Sequence, residues 1–250
     1  MRIDIVTIFP EMFDAVKLWG VTRRAIETGK LDLRLWNPRD CTDDNYRRID
    51  DRPYGGGPGM VMLAEPLAKT FKRVRNTRGS SRVIYLSPQG KRLEQGRIRE
   101  LAALPALTLL AGRYEGIDER LLEQEVEEEI SIGDYVLAGG ELPAMVLIEG
   151  LVRYLPGVIG NNESVLSDSF SEGLLDWQHY TRPERFEGRE VPPVLLGGDH
   201  EKIRLWRLRQ ALGRTWKRRP DLMGKLSLDA EQQTLLESYQ REHEEEEILT

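Results

Sequence analysis

The chain has 250 residues, 36 basic against 42 acidic for a net charge of −6, and 40% of them are apolar. This is enough for one large domain or two modest ones, and the charge excludes a global positive field of the kind that advertises a nucleic-acid partner. The single cysteine, Cys41, excludes an intrachain disulfide and fits a reducing compartment. No apolar run approaches the ~20 residues a membrane span needs. Asp4 and Pro10 interrupt the N-terminal apolar stretch that a signal peptide would require. The expected location is therefore cytoplasmic, with no membrane partner.

In chain order, Ile3 to Phe9 is alternating and β-branched, which predicts a strand, and Pro10 opens an amphipathic helix built on Met12, Phe13, Val16 and Leu18. Leu31 to Trp36 alternates as a second strand. The segment from Asn37 to Gly59 has no clear periodicity and ends in Asp-Asp-Arg-Pro-Tyr-Gly-Gly-Gly-Pro-Gly; loops of that length inside a compact domain are commonly functional. Helices are expected over Ala64–Arg75, Leu93–Leu104 and Glu141–Tyr154, the last with Pro143 tolerated in its first turn. Strands are expected over Arg82–Leu86, Leu107–Ala111 and Glu128–Ile132. Strands alternating with helices imply an α/β fold with a largely parallel sheet. From Gly157 to Gly173 the chain is rich in Gly, Asn and Ser, the composition of a linker. Helical patterns follow at His200–Arg218 and Asp229–Glu242. The organisation expected is an α/β domain over residues 1–160, a flexible linker over 161–173, and a small, mostly helical domain over 174–250.

Metal and nucleophile chemistry finds little support. His179, His200, His243 and Cys41 lack ligand spacing, so no metal ligands are assigned. No nucleophile elbow or P-loop occurs. The cluster Gly55–Gly59 lacks dinucleotide-fingerprint spacing and follows Arg52-Pro53-Tyr54 rather than a strand. It is either a plain turn or a place where backbone comes close to a ligand.

Three expected strands end in short Gly- or Pro-bearing turns, at Tyr85–Gly90, Ala111–Gly116 and Ser131–Gly140. In open α/β sheets ligands bind beyond the carboxyl ends of strands. Three such turns converging would make a backbone-rich pocket suited to an adenine edge and a ribose. Acid–base candidates near them are Arg153, otherwise a cation at a helix C-terminus, and Asp168, otherwise a cap or turn residue. The stretch Lys202–Arg219 carries eight cations and no acid, interleaved with Trp206 and Trp216. Arg207 and Arg214 on such a helix either form a solvated face or contact phosphates.

Taken together, Ile5–Phe13, Asp51–Met60, the three turns and Asp176-Trp-Gln-His-Tyr-Thr-Arg-Pro183 resemble the bacterial tRNA (guanine-N1)-methyltransferase family of the SPOUT superfamily, in order and over essentially the whole chain. The resemblance implies a parallel sheet with a deep trefoil knot, a feature no periodicity reveals and general topology disfavours. It implies S-adenosylmethionine as methyl donor, a magnesium requirement, tRNA as partner, and a homodimer whose active sites draw on both subunits. The donor pocket it implies comprises Leu86, Ser87, Pro88, Gly112, Glu115, Ile132, Gly133, Asp134, Tyr135, Val136, Leu137, Gly139, Gly140 and Pro143. It matches Asp168 to a general base, Arg153 to the residue that orients and polarises guanine, and His179, Tyr180 and Arg182 to tRNA contacts. The implied reaction methylates nitrogen 1 of the guanosine immediately 3′ of the anticodon. The alternatives are a SPOUT methyltransferase acting on another RNA and a non-catalytic RNA-binding protein.

Overall fold

The computed structural model describes residues 1–160 and 168–248. The chain divides into two compact units, 1–160 and 161–250. Of the expected linker, residues 161–167 lie outside the described residues, and 168–173 form turns.

The first unit is a five-stranded parallel sheet in the order β2-β1-β6-β5-β7. Its strands are β1 (Arg2–Val6), β2 (Asp32–Trp36), β5 (Arg82–Arg92), β6 (Ala106–Ala111) and β7 (Glu128–Ser131); β3 (Asp50–Asp51) and β4 (Val61–Met62) pair separately. Period-two alternation sends side chains to two cores. Ile3, Ile5, Ile84, Leu86, Leu107 and Leu109 belong to one, and Val6, Val83, Tyr85 and Leu110 to the other. The first is covered by α2 (Gly20–Glu27), α4 (Gln95–Ala102) and α6 (Glu141–Val152), the second by α3 (Ala64–Arg78) and α5 (Glu119–Glu125). Helices on both faces of a parallel sheet are the stable solution when every strand is apolar on both sides.

Several elements differ from the sequence reading. The first strand stops at Val6, because Thr7 turns its hydroxyl to accept from the Phe9 amide at 3.0 Å. The expected helix after Pro10 is a 3₁₀ turn (Pro10–Phe13) followed by the single turn α1 (Asp14–Lys17) and, from Gly20 on, by α2. The structureless stretch holds a second 3₁₀ turn, Pro38–Cys41, capped by Asn37. Strand β5 does not end at Leu86: it runs on to Arg92 and pairs with β7 again after a register shift between Leu86 and Lys91.

In the second unit the helices are α7 (His200–Arg218), α8 (Pro220–Met223) and α9 (Ala230–Ile248). Asp199 caps α7 by accepting from the Lys202 amide, and Ala211, Leu212 and Thr215 are buried. A short hairpin, β8 (Arg185–Phe186) with β9 (Arg189–Glu190), adds strand structure the sequence reading did not find; two-residue strands are too short to show alternation. No helix among the described residues is long and apolar enough to cross a membrane.

Candidate active site

The middle of β5, where its register with β7 shifts, and the carboxyl ends of β6 and β7 open into one cavity of about 330 Å³, within the size range of small-molecule sites. All three turns read from the sequence meet there. Every expected donor-pocket position except Asp134 lines the cavity: Leu86, Ser87, Pro88, Gly112, Glu115, Ile132, Gly133, Tyr135, Val136, Leu137, Gly139, Gly140 and Pro143. Asp134 is exposed and lies outside the lining, a place where a carboxylate keeps its water. Its neighbour turns inward instead: Ser131 Oγ donates to the Gly133 carbonyl at 3.0 Å and accepts from the Gly133 amide at 3.2 Å.

The walls are stitched by backbone. Gly140 N–H donates to the Gly112 carbonyl at 2.9 Å, joining the second turn to the third. Glu115 N–H donates to the Met60 carbonyl, and Met62 N–H to that of Gly116, each at 2.9 Å. The glycine-rich segment thus ends packed on the pocket wall. At Gly59, which sits at φ +84°, a Cβ would lie 2.3 Å from Glu115 Oε1. The close approach left open by the sequence is therefore to a carboxylate of the pocket itself, and only glycine permits it.

The donor-pocket residues implied by the resemblance leave out two side chains of these turns. Tyr85 lies beneath the cavity, and burial, reinforced by the negative charges of Glu129 and Glu119, pushes its phenol up to about 12. It opens the first of the three turns, and its alternation within β5 marked it as buried. Arg113 lines the cavity and is paired to buried Glu141, 28 positions along the chain. That spacing carries no sequence signal.

The two catalytic candidates belong to different units. Arg153 caps the carboxyl end of α6, whose amino end reaches the pocket at Pro143. Ten helical residues at ~1.5 Å each put Arg153 about 15 Å from that end, and it does not line the cavity of its own chain. Asp168 belongs to the second unit, where it borders a hollow with Glu172, Leu174, Trp177, Arg204 and Arg207.

The expected tRNA-contact residues gather in the second unit. His179, Tyr180, Arg182, Trp206 and Arg207 line a second hollow. There Arg207 lies over the Trp177 ring at 5.0 Å, and His179 Nε2 is 2.8 Å from Asp176 Oδ2. Tyr180 and Arg182 are exposed, whereas Arg214 is half-buried, its Nε enclosed and without a hydrogen-bond partner among the described residues.

The sequence profile described as tRNA (Guanine-1)-methyltransferase TrmD matches residues 1–225. The chain belongs to this family. Among members of the tRNA (guanine-N1)-methyltransferase family, the protein of Nitrosospira multiformis is 58% identical over 249 residues, covering 96% of this chain and 97% of its own. That of Serratia proteamaculans is 56% identical over 245 residues, covering 98% and 96%. A third, from Escherichia coli O139:H28, is 55% identical over 244 residues, covering 97% and 96%. Each bears the name tRNA (guanine-N(1)-)-methyltransferase.

Proposed function

We propose that this chain transfers the methyl group of S-adenosylmethionine to nitrogen 1 of the guanosine immediately 3′ of the tRNA anticodon, using the cavity where the three turns meet. That it is a tRNA (guanine-N1)-methyltransferase follows from family membership. The observation that carries the reading of the site is the convergence of three backbone-rich turns in one cavity of nucleoside size.

The donor supplies an electrophilic methyl group on a sulfonium. Leu86, Ser87, Pro88, Gly112, Ile132, Leu137, Gly139 and Gly140 would hold its adenosine part. The imino nitrogen of guanine carries a proton and attacks only as that proton leaves. Asp168 is the carboxylate that takes it, and Arg153 stabilises the charge that grows on the guanine carbonyl oxygen. Residues 1–160 serve as the donor-binding domain and 174–250 as the tRNA-binding domain, with 161–173 as the linker. His179, Tyr180, Arg182, Arg207 and Arg214 meet the RNA. The long β5, paired with β7 on both sides of a register shift, supports a chain crossing of the trefoil-knot kind at this edge.

The active form is a homodimer in which Asp168 and Arg153 reach the pocket of the other subunit. Two features support it. Arg153 sits at the far end of α6 from its own pocket, and apolar side chains are exposed on the helical layer: Leu142 and Val146 in the first half of α6, and Leu18 and Trp19 between α1 and α2, are each at least half exposed. Such a patch on a self-complementary dimer would be buried by its own copy. For magnesium, no three acidic, histidine or cysteine side chains converge among the described residues. The ion, which keeps several waters and takes one or two carboxylates beside phosphate oxygens, would bind together with the RNA and offset its phosphate charge. The enzyme works in the cytoplasm, where its substrate is made.

Calorimetric titration with S-adenosylmethionine tests the reading. Saturable heat at one site per chain is expected; its absence favours a non-catalytic RNA-binding protein. Methylation of an unrelated RNA in preference to tRNA favours a sister activity within the superfamily.

A further inference from the structure

We propose that Glu141 is a positioning residue for methyl transfer, acting through Arg113 to hold the turn at residues 133–139 in the shape that grips the methyl donor. The proposal rests on the reading of that cavity as the donor site.

Glu141 is the first residue of α6 and is completely buried. Its Oε1 accepts from Thr7 Oγ1 at 2.9 Å, and its Oε2 accepts from Arg113 Nε at 2.8 Å. A buried carboxylate is costly unless paired, and an apolar pair of similar volume commonly stabilises a fold as well. What an ion pair adds is one fixed geometry, and here the geometry bears on the cavity wall. The other groups of Arg113 tie the third turn to its surroundings: the Arg113 backbone N–H donates to Met62 Sδ and its Nη2 to Met12 Sδ, each at 3.2 Å. Its Nη1 donates to the Ala138 carbonyl at 3.2 Å, and its backbone bridges to Gly139. Its guanidinium lies over the Phe9 ring at 4.6 Å, a face that favours a cation.

The pair is so close to the turn that a Cβ on Gly139 would fall 2.3 Å from Arg113 Nε and 2.7 Å from Glu141 Oε2. Leu137, Ala138 and Gly139 line the cavity, whereas Glu141 does not. Glu141 therefore touches nothing that reacts. It fixes Arg113, and Arg113 fixes the wall. A forked guanidinium can bond a carboxylate and a carbonyl together, which an ammonium cannot do in the same geometry.

The test compares Glu141→Leu, Glu141→Gln and Arg113→Lys with the wild-type protein. Hydrogen exchange at residues 133–139 is read without ligand, and affinity for S-adenosylhomocysteine is read by calorimetry. Glu141→Leu and Arg113→Lys are expected to exchange at least 10-fold faster in the turn. They should bind the product at least 10-fold more weakly and raise KM for the donor, with KM for tRNA unchanged. Glu141→Gln, which still accepts from Arg113, should recover part of the affinity. If Glu141→Leu fails to fold, Arg113→Lys decides, because its side chain is partly exposed. A loss of melting temperature with wild-type exchange and affinity reduces the pair to a structural role and overturns the proposal. Absence of product binding by the wild-type protein overturns the reading of the pocket instead, while the exchange data judge the clamp by themselves.

Discussion

Arg204 and Glu231 join the two long helices of the second unit: Nη2 of Arg204 lies 2.8 Å from Oε2 of Glu231, and Arg204 also holds Glu201 on its own helix. The stretch that reads as eight cations with no acid among them is thus half neutralised in space. Lys202 pairs with Asp199, Arg209 with Glu242, and Arg219 with Asp221. Arg207 differs. It is exposed, it stacks on Trp177, and it borders the hollow that contains His179 and Tyr180.

Charge reversal at Arg207 should therefore weaken tRNA binding and reduce the salt slope by roughly one phosphate contact. Adding reversal at Arg214 should weaken it further. The same change at Arg204 should act mainly on the stability of the unit. Binding isotherms at several salt concentrations check this, and equal slopes for the wild type and Arg207→Glu would return α7 to a solvated face.

Asp168→Ala should leave donor affinity close to that of the wild type and slow methyl transfer 100-fold or more, the usual scale for a lost general base. Single-turnover rates with saturating tRNA and donor separate the two effects. Turnover near the wild-type value would remove Asp168 from the mechanism.

The α/β class was legible because β1, β5 and β6 carry apolar residues on both faces, and the pocket was legible because its walls are continuous turns with their own glycine and proline signals. What stayed hidden depends on distance in sequence. The Arg113–Glu141 pair spans 28 positions, and two of the acids that neutralise α7, Glu231 and Glu242, lie on α9, 27 and 33 positions from their partners. The helix α5 was missed because its seven residues, Glu-Arg-Leu-Leu-Glu-Gln-Glu, give two turns and too few apolar positions for a period. The second run of β5 was hidden by Pro88 and Gly90, which read as a turn, although that segment pairs with β7 once the register shifts.

Tyr85 makes part of the stability dependent on alkaline pH. Its pKa rises from 10.0 to about 12 on folding, so the folded state holds a proton that the unfolded chain releases. Its contribution is fully present below pH 10 and is lost as pH rises through about 12. Denaturant titrations between pH 9 and 12 should show a decline that Tyr85→Phe lacks; identical pH profiles would assign the decline to other groups.

Trp19 and Val146 test the assembly. Trp19 is 70% and Val146 50% exposed in the single chain. Placing glutamate at both should yield a folded monomer by light scattering, with methyl transfer reduced at least 100-fold because Asp168 and Arg153 no longer reach a neighbouring pocket. Full activity in a monomer would place the whole site within one chain.

The most direct measurement is transfer of labelled methyl from S-adenosylmethionine to an unmodified tRNA transcript, with the modified nucleoside identified by mass spectrometry after digestion. One methyl per tRNA is expected, on nitrogen 1 of the guanosine 3′ of the anticodon, with none incorporated when that guanosine is replaced by adenosine. Label on another nucleoside, or undiminished label on the replaced transcript, would contradict the account.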